Sequence, residues 1–180
     1  MINEKVICAG FGGQGVMSLG QLLTYAGMVE GKEVSWLPSY GPEMRGGTAN
    51  CSVMISDKMI GSPVITDDAT VAIVMNLPSL DKFESNVVKD GLVLINSSLI
   101  EKKASRDDVK AYYIPANEIA NELGNSRAAN MVMLGSYIEL VAPVSMETVK
   151  ETLKKVFGPS KAHLIPLNEL ALDKGAQAVR

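Results

Sequence analysis

The chain has 180 residues, 47% hydrophobic and 21% charged, with a formal net charge of −3, a balance that allows one α/β domain with a sizeable core. Residues 1–100 hold 6 basic and 10 acidic side chains and the remainder 11 and 10, so neither half carries the basic patch that nucleic-acid binding requires. Apolar runs stop at about 5–7 residues, far short of a bilayer span, no leader pattern opens the chain, and the expected compartment is the cytoplasm.

Lys5 to Ala9 reads as a first strand that passes without a spacer into Gly10-Phe11-Gly12-Gly13-Gln14-Gly15-Val16. A helix follows from about Gln14 to Val29, with Val16, Leu19, Leu23 and Ala26 on one face, and it ends near Gly31. Glu33 to Leu37 is a short second strand. After a Pro38 to Gly47 loop comes the alternating run Ala49 to Ser56, expected to pair antiparallel near a sheet edge. Thr70 to Met75 and Leu92 to Ile95 are continuous apolar runs, the pattern of strands covered on both faces. Ser79 to Val88 between them has partly helical spacing, and Ala111 to Ile114 is another short strand stopped by Pro115.

The last third is mainly helical. Asn117 to Leu123 is a short helix stopped by Gly124, and Arg127 to Val141 a longer one with Met131, Leu134, Ile138 and Val141 on a common face. Ser145 caps a third, whose Met146, Val149, Leu153 and Val156 are expected to point inward before Gly158-Pro159 ends it. His163 to Ile165 reads as extended, and Asn168 as the opening of a last helix. This alternation predicts residues 1–180 to be one domain, a three-layer α/β/α sandwich with a mainly parallel or mixed sheet.

Glycines at a strand-to-helix corner let the backbone turn tightly and come close to a ligand or another chain. The free N–H groups and dipole of the helix start favour an anion or a carbonyl oxygen there. Many α/β folds use glycines at this corner for packing alone, so Gly10, Gly12, Gly13, Gln14 and Gly15 mark an opportunity for binding rather than a reaction. A second segment, Pro38-Ser39-Tyr40-Gly41-Pro42-Glu43-Met44-Arg45-Gly46-Gly47-Thr48-Ala49-Asn50-Cys51, sets Arg45 in a compact loop. A guanidinium there either makes a two-pronged contact with a carboxylate or phosphate or ties down carbonyls of its own loop. Asn76, and Asn96 with Ser97 and Ser98, stand at strand ends, where they either contact a ligand or cap the next helix.

Other residues limit what the chain does alone. Cys8 lies inside a strand pattern and Cys51 on the apolar face shared with Ala49, Val53 and Ile55, so both read as small buried hydrophobes. Two cysteines are too few for the four ligands of an iron–sulfur cluster. His163 is the sole histidine, which excludes a histidine-based metal cluster. The methionines are spread through the sequence as gap fillers or soft interface surface. A dinucleotide-binding oxidoreductase is the competing reading, but its fingerprint needs an acid at the end of the second strand, where this chain has Ser35-Trp36-Leu37-Pro38. A pure assembly module without ligand contact is the third reading.

Taken together, the glycine corner and the Pro38 to Cys51 segment resemble the gamma chain of the 2-oxoacid:ferredoxin oxidoreductases. The form of the second segment is most like the 2-oxoglutarate and branched-chain types. The resemblance implies a cytoplasmic, hetero-oligomeric, thiamine diphosphate-dependent complex that converts a 2-oxo acid, 2-oxoglutarate being the first expectation, to acyl-coenzyme A while reducing ferredoxin. Thiamine diphosphate, magnesium and iron–sulfur clusters are then expected on companion alpha, beta and, where present, delta chains. This chain is expected to hold no cofactor by itself, to have no catalytic or metal-binding residue, to brace the thiamine chains, and to contact coenzyme A. The residues carried over to that contact are Gly10, Gly12, Gly13, Gln14, Gly15, Arg45, Gly46, Gly47 and Asn76.

Overall fold

The computed structural model describes residues 1–39 and 48–180. In chain order it contains β1 (Asn3–Phe11), α1 (Val16–Val29), β2 (Glu33–Ser39), β3 (Thr48–Ser56), β4 (Ala69–Val74), α2 (Leu77–Phe83) and β5 (Val87–Asn96). There follow β6 (Lys110–Ile114), α3 (Ala116–Glu122), α4 (Ala129–Val141), α5 (Met146–Phe157) and α6 (Ile165–Gln177). The six strands form one mixed sheet in the order β2-β3-β1-β4-β5-β6. Strands β1, β4, β5 and β6 run parallel, while β3 is antiparallel to both of its neighbours, β1 and β2. Pro38 is accommodated because β2 is an outer strand, where a missing N–H breaks no ladder.

Alternation along the strands divides the core in two. Val6, Cys8, Val71, Ile73 and Leu94 face the side covered by α1, α3, α4, α5 and α6. Ile7, Ala9, Ala72, Val74, Val93 and Ile95 face a thinner layer made by Leu80 of α2 and by Ile65 and Ile100 from irregular segments. The sandwich is therefore unequal, with most of its helices on one face.

Several boundaries differ from the sequence reading, each for a local reason. The helical spacing from Ser79 to Val88 resolves into α2, one 3₁₀ turn over Glu84–Asn86, and the first residues of β5. The long C-terminal helix begins at Ala129 after a 3₁₀ turn over Ser126–Ala128, and every residue from Ala129 to Ile138 is buried. Its apolar face is not a single stripe, because α6 covers the side turned away from the sheet. The two helices meet at Gly135 and Gly175, where an added Cβ would lie 2.0 Å from the Leu172 carbonyl oxygen and 1.9 Å from that of Val132. The Ser136 hydroxyl fastens the crossing by donating to the Gly175 carbonyl at 2.8 Å.

Residues 163–165 are not extended. They lie in a 3₁₀ turn, Pro159–Leu164, and at the start of α6, whose first turn holds Pro166 where its missing N–H is not needed. Asn168 does not open α6 but sits in its first turn, donating from Nδ2 to the Leu164 carbonyl at 2.8 Å. Ser145 does cap α5, its Oγ accepting the Thr148 N–H at 3.1 Å. Val149 and Leu153 point inward, but Val156 is exposed, because its place on the helix turns it toward α1 rather than the sheet.

Cys8 and Cys51 are opposite one another in the β1–β3 register and fully buried. The hydrogen bond to Cys51, with burial, holds the Cys8 thiol well above its ordinary value. Both are core groups in this arrangement, as their alternation implied. No helix of the described residues is long and apolar enough to cross a membrane.

Candidate functional site

β1 delivers the chain to the sheet's carboxyl edge at Gly10, and α1 leaves it at Val16. The intervening turn is held by Gln14, whose Oε1 accepts the Phe11 N–H at 2.6 Å while its Nε2 donates to the Met75 carbonyl at 3.3 Å. One side chain thus ties the ends of β1 and β4 together. Gly10 is required by closeness: a Cβ there would lie 2.7 Å from Gln14 Oε1 and 2.9 Å from Met75 Cβ. Gly15 caps α1 in the left-handed region, φ 76°, and its carbonyl accepts from Asn130 Nδ2 at 3.1 Å. Asn130 Oδ1 in turn accepts the Met131 N–H at 2.9 Å, so the amide joins the starts of α1 and α4. Gly12 and Gly13 are exposed on the outside of the turn.

Three hollows surround this corner. The largest, about 540 Å³, opens between the first turn of α1, the Asn125–Asn130 segment, and the region from the end of α5 to the start of α6. A smaller one of about 160 Å³ lies between Gln14, Met75, Asn117 and Arg127, and a third of about 320 Å³ between Phe11, Met17 and Ala49. Gly13 lines all three. Arg127 and Lys161 line the largest, and no Asp or Glu among the described residues does. The N-terminus of α1 and two cations therefore face one cavity without an opposing carboxylate among the described residues, an arrangement that favours an anion.

Asn76 follows β4 and caps the next helix. It is buried, its Oδ1 accepts the Ser79 N–H at 2.9 Å as the cap of α2, and its Nδ2 has no partner among the described residues. Asn96 donates from Nδ2 to Asn117 Oδ1 at 2.7 Å, and the Ser98 hydroxyl accepts the Glu118 N–H at 3.2 Å. These strand-end groups act mainly on helix starts and on each other. Arg45, Gly46 and Gly47 lie outside the described residues. The strands flanking them end at Ser39 and Thr48, and Thr48 pairs with Phe11 at the glycine corner.

Sequence reasoning missed Arg127, Lys161 and Asn130. No spacing relates these positions to Gly13, more than a hundred residues earlier, and only the packing of α4 and α5 on α1 brings them near. Among the described residues no group of three or more His, Cys, Asp and Glu side chains is placed to hold a metal ion.

The family model for pyruvate ferredoxin/flavodoxin oxidoreductase matches residues 5–178. The chain is 42% identical to the ketoisovalerate oxidoreductase subunit VorA of Methanothermobacter thermautotrophicus over 98% of its own length, which is 36% of that protein. It is 35% identical to the 2-oxoglutarate synthase subunit KorC of Methanocaldococcus jannaschii, over 84% of this chain and 82% of that one. Among solved structures, 2-oxoglutarate:ferredoxin oxidoreductase from Magnetococcus marinus, with 2-oxoglutarate, coenzyme A and succinyl-CoA bound, superposes with a TM-score of 0.90 at 26% identity. That match takes in 99% of this chain and 31% of the other. The chain thus spans about a third of the length of VorA and of the Magnetococcus enzyme chain. With the fold, the glycine corner and the match over residues 5–178 in agreement, the chain belongs to the pyruvate ferredoxin/flavodoxin oxidoreductase family, as a gamma-subunit module.

Proposed function

We propose that this chain serves a thiamine diphosphate-dependent 2-oxoacid:ferredoxin oxidoreductase by bracing its thiamine subunits and forming part of the coenzyme A cleft. The substrate is a 2-oxo acid of the 2-oxoglutarate or branched-chain type. The alpha, beta and, where present, delta chains carry thiamine diphosphate, magnesium and iron–sulfur clusters, which supply decarboxylation and electron transfer to ferredoxin. The observation carrying this reading is the cavity at the start of α1, which Arg127 and Lys161 line with no carboxylate among the described residues. Coenzyme A is a polyanion with a long polar arm, and this donor set fits its phosphates. Left-handed Gly13 and Gly15 keep side chains away from that approach. Gln14 and Asn130 hold the corner's shape. Arg45, Gly46 and Gly47 belong to the same proposed contact on the sequence resemblance, with Gly10 and Gly12 forming its turn and Asn76 its rim.

The test is steady-state kinetics of the reconstituted complex. Arg127→Ala is expected to raise the KM for coenzyme A about tenfold, the usual scale for one charge-assisted contact, with the KM for the 2-oxo acid unchanged. Arg45→Ala is expected to raise the same constant or weaken assembly. The chain alone is expected to oxidise no 2-oxo acid with a viologen dye. Turnover by the isolated chain, or unchanged coenzyme A kinetics in both variants, would end this reading.

A further inference from the structure

Helix α1 contains no charged residue over its whole length, Val16 to Val29, yet one of its stripes faces outward. Gln21, Tyr25 and Val29 follow one another at spacings of four, and Met28 lies three past Tyr25, so they share a face. Together with Val156 of α5, the three apolar members keep between 40% and 55% of their surface exposed. Between the helices runs an open groove of about 480 Å³ floored by Gln21 and Thr152 and walled by Tyr25, Val29 and Val156. It is continuous with the larger cavity, since Gln21 and Val156 line both. Lys155 is the only charged lining residue among those described, and none of Lys155, Lys161 and Arg127 is ion-paired with a described carboxylate.

Apolar walls that include an aromatic, charge confined to the margin, and one sign of charge only among the described lining residues are the composition of a recognition surface rather than of solvated helix. A second copy of this chain fits it poorly, because the same cations would meet across a symmetric contact. The groove is framed by two helices and offers anchors at helical spacing, the setting in which an amphipathic helix lays down its apolar face. We propose that the α1–α5 groove receives an amphipathic helix of a companion subunit, apolar toward Tyr25, Val29 and Val156 and acidic toward Lys155. The assignment rests on the chain acting as one module of a larger complex, and it names where and by what chemistry that complex grips it.

The experiment is co-expression of the full chain with its companion subunits, recovery by a tag on this chain, and lysine-to-carboxylate zero-length cross-linking. The wild-type chain is expected to bring its companions with it, and Lys155 to cross-link to an Asp or Glu on a companion helix. Val29→Glu is expected to reduce recovery at least about tenfold, as for a central anchor. Lys155→Glu is expected to reduce recovery at low but not at high ionic strength. Both positions are exposed, so thermal unfolding of the isolated variants is expected to match wild type. Full recovery with Val29→Glu, or Lys155 cross-links that lead only to another copy of this chain, would overturn the docking assignment and leave the wider reading standing. Failure of the wild-type chain to recover any companion would overturn both.

Discussion

Gly15 and Asn130 stand 115 positions apart and are packed so closely that a Cβ on Gly15 would lie 2.4 Å from Asn130 Nδ2, the atom that donates to the Gly15 carbonyl. The contact joins the start of α1 to the start of α4, and with it the glycine corner to the cation-lined cavity. Gly15→Ala is expected to lose about 2 kcal/mol, combining a left-handed backbone with a displaced amide. Asn130→Ala, which leaves the backbone unstrained, is expected to lose about 1–2 kcal/mol. Urea titrations of the two single variants and the double variant test the coupling, which strictly additive losses would contradict.

The α4–α6 crossing is the least tolerant place in the described chain. A methyl group at Gly175 meets a backbone oxygen at 1.9 Å, and backbone cannot rotate away as a side chain can. Gly175→Ala is expected to cost about 3 kcal/mol, at the upper end of overpacking penalties. It should appear as a lower denaturant midpoint with an unchanged slope. A loss below the level of an exposed substitution would mean the helices separate freely.

Tyr137 is fully buried, and its hydroxyl has no hydrogen-bond partner among the described residues. Burial, with the charge of Glu4, pushes its phenol well above the ordinary value, so it stays neutral throughout the working range. Tyr137→Phe keeps the ring and removes a desolvated hydroxyl, and it is expected to be neutral or to stabilise by about 1 kcal/mol. A clear loss of stability in thermal unfolding would show that the hydroxyl is satisfied in solution.

Stability should fall on the acid side. The carboxyls of Asp57, Asp68, Asp108 and Glu139 are held below their usual range, chiefly by hydrogen bonds from Lys32, Lys5, Arg106 and Arg180. Because the folded values lie below the unfolded ones, the contribution is complete above the unfolded value, about pH 4, and disappears as pH falls through the folded values. The urea midpoint is therefore expected to be flat above about pH 5 and to decline below about pH 4. Asp68→Asn should lower the plateau slightly and make the acid limb shallower, and added salt should lower the plateau as well. A midpoint that rises on acidification would reverse the assignment.

The legibility of the chain tracks how local each cause is. Strand β1, the turn at Gly10–Gly15 and the body of α1 were readable because glycine placement and apolar spacing act within a few residues. The Ser145 cap was readable for the same reason. Residues 163–165 misled because His-Leu-Ile has strand-like composition, while Pro159 and Pro166 favour helix starts and prevailed. Val156 misled because spacing locates a residue on a helix face but not what that face packs against. Arg127 and Lys161 carried no local signal at all.

What the sequence by itself determined was the class: strand–helix alternation, the tight glycine corner, buried cysteines, and a motif pair that implied the family. Short-range sterics and the periodicity of side chains suffice for those features. Only the tertiary structure decided that β3 slots between β2 and β1, that α6 buries the outer side of α4, and that two cations face the start of α1. Those relationships depend on contacts between positions far apart in the chain, and many elements of the same pattern can pack in other ways until side-chain volumes choose one.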